Sequence, residues 1–102
     1  MSWVNVLDLQ NRVRVAVETK KYLKTPHAEL RMKERDLIDP ELENILLNGR
    51  HTPSKDQWNE QWQSWRYAIC GQVDDRHIRV AVSFEREMLI ITVIDEDLKD
   101  EF

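Results

Sequence analysis

Glycine is nearly missing from this 102-residue chain, with Gly49 and Gly71 alone. A loop that cradles a phosphate or dinucleotide needs several residues whose backbone can approach the ligand closely, so nucleotide-cofactor chemistry of that kind is excluded. Cysteine is scarcer still, because Cys70 is the only one. No internal disulfide can form, and a zinc site built on thiolates is ruled out. His27, His51 and His77 stand far apart and none has a histidine or cysteine at ligand spacing, so no metal site is expected. The longest apolar run, Met88 to Ile91, is far too short to span a bilayer, and the first residues lack the charged and apolar segments of a secretory leader. No membrane partner is expected, and a reducing cytoplasm is the expected compartment. Repeats, low-complexity stretches and Gly/Ser linkers are missing too, so one domain over residues 1–102 is expected.

What is present is ordinary globular composition, 41% hydrophobic and 33% charged, enough for one small core. The formal net charge of -4 argues against a nucleic-acid partner until its distribution is considered. Asp95, Glu96, Asp97, Asp100 and Glu101 stand against Lys99 in the final residues, which hold the whole excess. The stretch from Lys20 to Arg35 is basic, with Lys20, Lys21, Lys24, Arg31, Lys33 and Arg35 against Glu29 and Glu34. A local basic patch is therefore compatible with an acidic total. The two opposed segments suggest that the acidic tail, residues 96–102, folds back on the basic stretch as an electrostatic lid.

Hydrophobic periodicity divides the chain in two. Val6, Leu9, Val13 and Val17 recur at helical spacing behind Asn5, a capping residue with Asp8 three positions on, which predicts a helix over about residues 6–20. The alternation of Val13, Val15 and Val17 would also suit a strand. Thr25-Pro26 is a helix start, since threonine accepts the first amide hydrogens and proline is preset for the first turn, and Asp39-Pro40 repeats the signal. The third helix buries Leu42, Ile45 and Leu46 and stops at Asn48-Gly49, where glycine tolerates a left-handed cap. From Trp65 the period becomes two, through Trp65, Tyr67 and Ile69, then Ile78, Val80, Val82 and Phe84. With polar connections at Asp74 to Arg76 and Glu85 to Glu87, and a last strand from Leu89 to Ile94, this predicts an antiparallel meander. The last strand is apolar on both parities, which suggests a central or fully covered position. Residues 50–63 suit a helix lined by Trp58, Trp62 and Trp65, or a loop. The class is α+β, with N-terminal helices packed on one face of a C-terminal meander of three or four strands.

Chemistry is concentrated on the second helix. His27, Arg31 and Arg35 are four apart and share a stripe about 80° wide. Guanidinium groups hold a phosphate and stabilise charge as it develops, while an imidazole moves a proton near neutral pH. Cleavage of RNA through its own 2′-hydroxyl needs little else and calls for no metal. The plainer reading is a solvated face in which the arginines pair with Glu34, Glu41 or tail acids. Arg66, His77 and Arg79 fall on strand positions opposite the apolar face and could add charge, as could Lys24; the plainer reading is an exposed polar sheet surface. The tryptophans could stack on unpaired bases, anchor an interface or fill the core. His51, in the unreadable stretch, is uninformative.

The run TPHAELRMKERDLIDPELENILLNG, followed by WRYAICG, IRVAVSF and LIITVID, resembles the domain-of-unknown-function family 4258 over about residues 21–95, leaving residues 1–20 as an N-terminal helical extension. His27, Arg31, Met32 and Arg35 carry the resemblance, with Arg66-Tyr67 and Gly71 in support. That family looks distantly similar to the RelE and ParE toxins and the barnase-like ribonuclease fold. The resemblance implies helices on one face of a curved antiparallel sheet and ribonuclease or toxin activity. His27 would be the general acid or base, Arg31 and Arg35 the phosphate and transition-state holders, and Arg66 a supporting cation. Lys24, His77 and Arg79 would be further nucleic-acid contacts. RelE-like toxins are usually basic throughout, and this chain is not. The partners expected on this reading are RNA and an antitoxin-like protein or a second copy. The alternative is a non-catalytic interaction module, which has no need of a titratable group at position 27.

Overall fold

The computed structural model describes residues 6–98, so the expected Asn5 cap lies outside it. Helix α1 covers Val6–Glu18. Leu9, Val13 and Val17 are buried whereas Val15 is exposed, so the helical period prevails over the competing alternation. Beyond it the chain turns through Lys20, at φ 59°, into strand β1, Tyr22–Lys24. Three residues carry too little period to predict a strand; this one exists because it pairs with a distant partner. Helix α2 covers Pro26–Glu34 and buries Ala28 and Met32.

Helix α3, Asp39–Asn48, buries Leu42, Ile45 and Leu46 as expected. Its start differs from the Asp-Pro expectation. Asp39 is already helical, and Glu41 reaches back to accept the Ile38 N–H at 3.1 Å. Its end differs too. Gly49 is extended, at φ -78° and ψ -175°, rather than left-handed. Glycine is required there for space, since a Cβ would lie 2.5 Å from the carbonyl oxygens of both Ile45 and Cys70.

Residues 50–63 are neither helix nor plain loop. They form β2, Arg50–His51, a 3-10 turn, Pro53–Lys55, and β3, Gln57–Asn59. The meander follows as β4, Ser64–Val73, β5, Arg76–Phe84, and β6, Met88–Asp95. Strand order is β1-β6-β5-β4-β2, with β3 also pairing β4. All neighbours are antiparallel except β1 and β6, which run parallel. The expected meander is thus extended by three short strands into a mixed six-stranded sheet.

Buried residues of all three helices join inward side chains of the sheet, among them Ile69, Ile78, Val80, Val82, Ile90 and Val93, in a single core. β6 is central, between β1 and β5, as its apolar sequence suggested. Its second face is only half-covered, however, since Leu89, Ile91 and Ile94 are of intermediate exposure. No helix among the described residues is long and apolar enough to cross a membrane.

Candidate active site on the outer face of the sheet

Three local features shape a cleft on the sheet face turned away from the core. The first is the start of α2. Thr25 Oγ1 accepts the Ala28 N–H at 3.0 Å and donates to the Ile91 carbonyl at 2.9 Å, and the Thr25 N–H donates to Ile90 at 3.0 Å. One threonine caps the helix and fastens it to β6, which sets His27 in the first turn beside the sheet. The second is a bulge in β6. Val82 pairs with Ile90 and Ala81 with Thr92, leaving Ile91 as the extra residue. A bulge re-aims side chains, and Ile91 and Thr92 both line the cleft as a result. The third is the β3–β4 hairpin, in which Trp58 faces Trp65 at 5.6 Å between centroids and Trp62 stands at the turn, 65% exposed.

The cleft between them has a volume of about 420 Å³ and an apolar floor of Leu89 and Ile91. His27, Arg66 and Glu85 converge on it from α2, β4 and the β5–β6 turn. Among the described residues no carboxylate lies within ion-pair distance of Arg66, and the His27 ring has no hydrogen-bond partner. An imidazole, a guanidinium and a carboxylate thus share one open space, uncommitted to one another's neutralisation. The α2 N-terminus adds the positive end of its dipole.

His27 and Arg66 are the sequence-predicted residues that the fold brings together. Arg31 and Arg35 do not line the cleft. Arg31 bonds Glu34 at 2.9 Å, and Arg35, its side chain only 10% exposed, approaches the same carboxylate at 4.0 Å. The Arg76 guanidinium donates to the carbonyl of Arg35. Lys24 pairs with Asp39 at 2.6 Å. His77 and Arg79 lie toward the other end of the sheet, where Asp97 and Glu96 meet them at 3.4 and 3.6 Å. Glu96 also pairs with Lys55. The His77 N–H donates to Asp97 and holds its carboxyl below the usual range. The described part of the acidic tail therefore meets β5 and the 3-10 turn; the remainder of the expected lid lies outside the described residues. No group of three potential metal ligands occurs among the described residues.

Sequence reasoning missed Glu85, which reads as an ordinary turn residue, and buried Ser83, which shares the outward parity of Arg79. It also passed over His51. That ring is nearly enclosed, its side chain 4% exposed, with Nε2 2.7 Å from Asp56 Oδ2, while Asp56 Oδ1 accepts the Ala68 N–H at 2.8 Å. Position 56 is five residues on, outside any helical or strand period, so only the turn reveals the pair. Nearby, burial pushes the Tyr67 hydroxyl up, with the Asp56 charge adding to it.

The model of the family described as Domain of unknown function (DUF4258) matches residues 25–95, more than two thirds of the chain. The match begins at the Thr25 cap and ends with β6, so α1 and β1 lie outside it. No curated protein matches the chain and no solved structure does. The expected kinship with RelE and ParE toxins has no counterpart among these findings.

Proposed function

We propose that this chain, which belongs to the DUF4258 family, is a toxin-like domain that binds single-stranded RNA in the outer cleft and cleaves it through the RNA's own 2′-hydroxyl. The observation that carries the proposal is the convergence of His27, Arg66 and Glu85 on one cleft beside an exposed tryptophan. Glu85 takes the proton of the 2′-hydroxyl as its oxygen attacks phosphorus. His27, as imidazolium, gives a proton to the departing 5′-oxygen, and Arg66 stabilises the charge that builds on the phosphoryl oxygens. The products are a 2′,3′-cyclic phosphate and a 5′-hydroxyl. Trp62 supplies a face on which an unpaired base can stack. Arg31 and Arg35 have supporting roles at most, through the helix that carries His27. Kinship with RelE and ParE toxins, residence in the cytoplasm and restraint by an antitoxin-like partner or a second copy belong to the same proposal.

Labelled single-stranded RNA incubated with the protein in a chelator is expected to give cyclic-phosphate ends. His27→Ala should lower the rate by roughly 10²- to 10⁴-fold while leaving RNA binding in place. Trp62→Ala should weaken binding by about 1–3 kcal/mol. Absence of both cleavage and binding overturns the proposal. One observation favours a second reading, a protein-docking module: Leu23, 55% exposed, lies in register with Leu89 and continues the apolar floor. Capture of a protein partner that is lost in Leu23→Glu and indifferent to His27→Ala would favour it.

A further inference from the structure

A second, partly open pocket lies beside α1, apart from the outer cleft. It has a volume of about 190 Å³ and is lined by Gln10, Val13 and Arg14 of α1, Leu46 and Leu47 of α3, Gly49, His51 and Ile69. His51 is the unusual member. Its Nε2 is taken by Asp56, which is not among the lining residues, and its Nδ1 is buried with no hydrogen-bond partner. A buried polar nitrogen left unsatisfied costs about 1–3 kcal/mol, so a ligand that answers it is favoured.

The chemistry of the remaining lining groups selects the ligand. Arg14 offers guanidinium N–H donors and Gln10 an amide, no carboxylate lines the space, and among the described residues none pairs with Arg14. With Nε2–H directed at Asp56, an imidazolium presents Nδ1–H as a third donor. Three donor-bearing side chains thus line a volume of about 190 Å³, below that of ordinary drug-sized pockets. We infer that this cavity is a binding site for a small oxyanion of the phosphate or sulfate kind, held by His51 Nδ1–H, Arg14 and Gln10. The Asp56 carboxylate holds the far side of the ring at 2.7 Å and so fixes Nδ1 as the nitrogen left for the cavity.

The coupling is open to test because anion binding and protonation of His51 assist one another. The charged or titratable groups facing the ring are Asp56, just after the 3-10 turn, Tyr67 from β4 at 5.9 Å, and Arg14 from α1; Arg12 of α1 lies over Phe84, whose ring neighbours Tyr67. Helix α3 adds only the leucines.

Imidazole nitrogen resonances of the whole protein, assigned with His27→Ala and His77→Ala, would be followed by NMR while inorganic phosphate is added at constant ionic strength. The His51 signals are expected to move toward the doubly protonated form and its titration midpoint to rise. Arg14→Gln, a change at an exposed helix position, should weaken the response about tenfold or more. An equal response to ribose 5-phosphate assigns recognition of a phosphate end group, and a response to inorganic phosphate alone assigns the free ion. His51 signals that ignore phosphate, or that respond equally in Arg14→Gln, overturn the inference and leave water as the occupant.

Discussion

Replacing Gly49 with alanine is expected to destabilise the fold by about 2 kcal/mol, and the figure follows from two contacts. The added Cβ would stand 2.5 Å from the Ile45 and Cys70 carbonyl oxygens, where ordinary contact begins near 3.4 Å. Neither oxygen belongs to a side chain that can rotate away. Ile45 O accepts the Gly49 N–H at 2.7 Å in the last turn of α3, and Cys70 lies in β4 opposite Arg50. Relief requires the helix end or the strand to move, which falls at the upper end of the roughly 1–3 kcal/mol that overpacking costs. Loss of glycine's unfolded-state entropy offsets about 0.4–1 kcal/mol. At about 4–8 °C per kcal/mol for a domain of this size, melting should fall by roughly 8–16 °C. Guanidinium unfolding followed by tryptophan fluorescence should show a lower midpoint at unchanged slope. Gly71→Ala is the internal control. Its nearest neighbour is the Ile45 Cγ2 methyl at 3.0 Å, a milder approach than 2.5 Å to two backbone oxygens, and the loss should be about 1 kcal/mol or less. If Gly49→Ala stays within about 0.5 kcal/mol of the parent, or if Gly49→Asn is the better tolerated as at a left-handed cap, the close-approach reasoning is refuted.

Further outcomes concern the polar groups. Glu43 accepts from Lys20 at 2.6 and 2.8 Å and from the Tyr22 hydroxyl at 2.6 Å, and these bonds, that of Lys20 first, hold its carboxyl below the ordinary 4.5. A depressed folded value means that the contribution is complete above about pH 4.5 and is lost as pH falls through the lower folded value. Glu43→Gln should therefore cost about 1 kcal/mol at neutral pH, with the gap from the parent closing below pH 4.5 in acid titrations of stability. Asp56→Ala strips partners from His51 and the Ala68 N–H together and should cost roughly 2–4 kcal/mol, with faster hydrogen exchange at Ala68; Asp56→Asn, keeping an acceptor oxygen, should lose less. Arg66→Gln should lower the slope of log RNA affinity against log salt by about 0.7, the value for one phosphate contact to a single strand. An unchanged slope would remove Arg66 from the phosphate.

Wherever a long stretch has one period and one environment, the primary structure alone determined the outcome. Leu9, Val13 and Val17 define α1, Thr25-Pro26 starts α2, and the alternations through β4 and β5 define the meander, because each pattern repeats often enough to outweigh its rival. Three kinds of feature were left to the tertiary structure. Strands β1, β2 and β3 are too short to carry a period and exist through long-range hydrogen bonding to β6 or β4. Gly49 signals glycine in sequence, but the reason, a helix end pressed against a strand, is a contact between residues far apart in the chain. The cleft draws His27, Arg66 and Glu85 from three elements, and helical spacing could relate His27 only to Arg31 and Arg35, which the packing of α2 turns toward Glu34. Local periodicity reports which face of an element is wet. Which wet faces meet is set by how elements pack, and that information is spread across the whole chain.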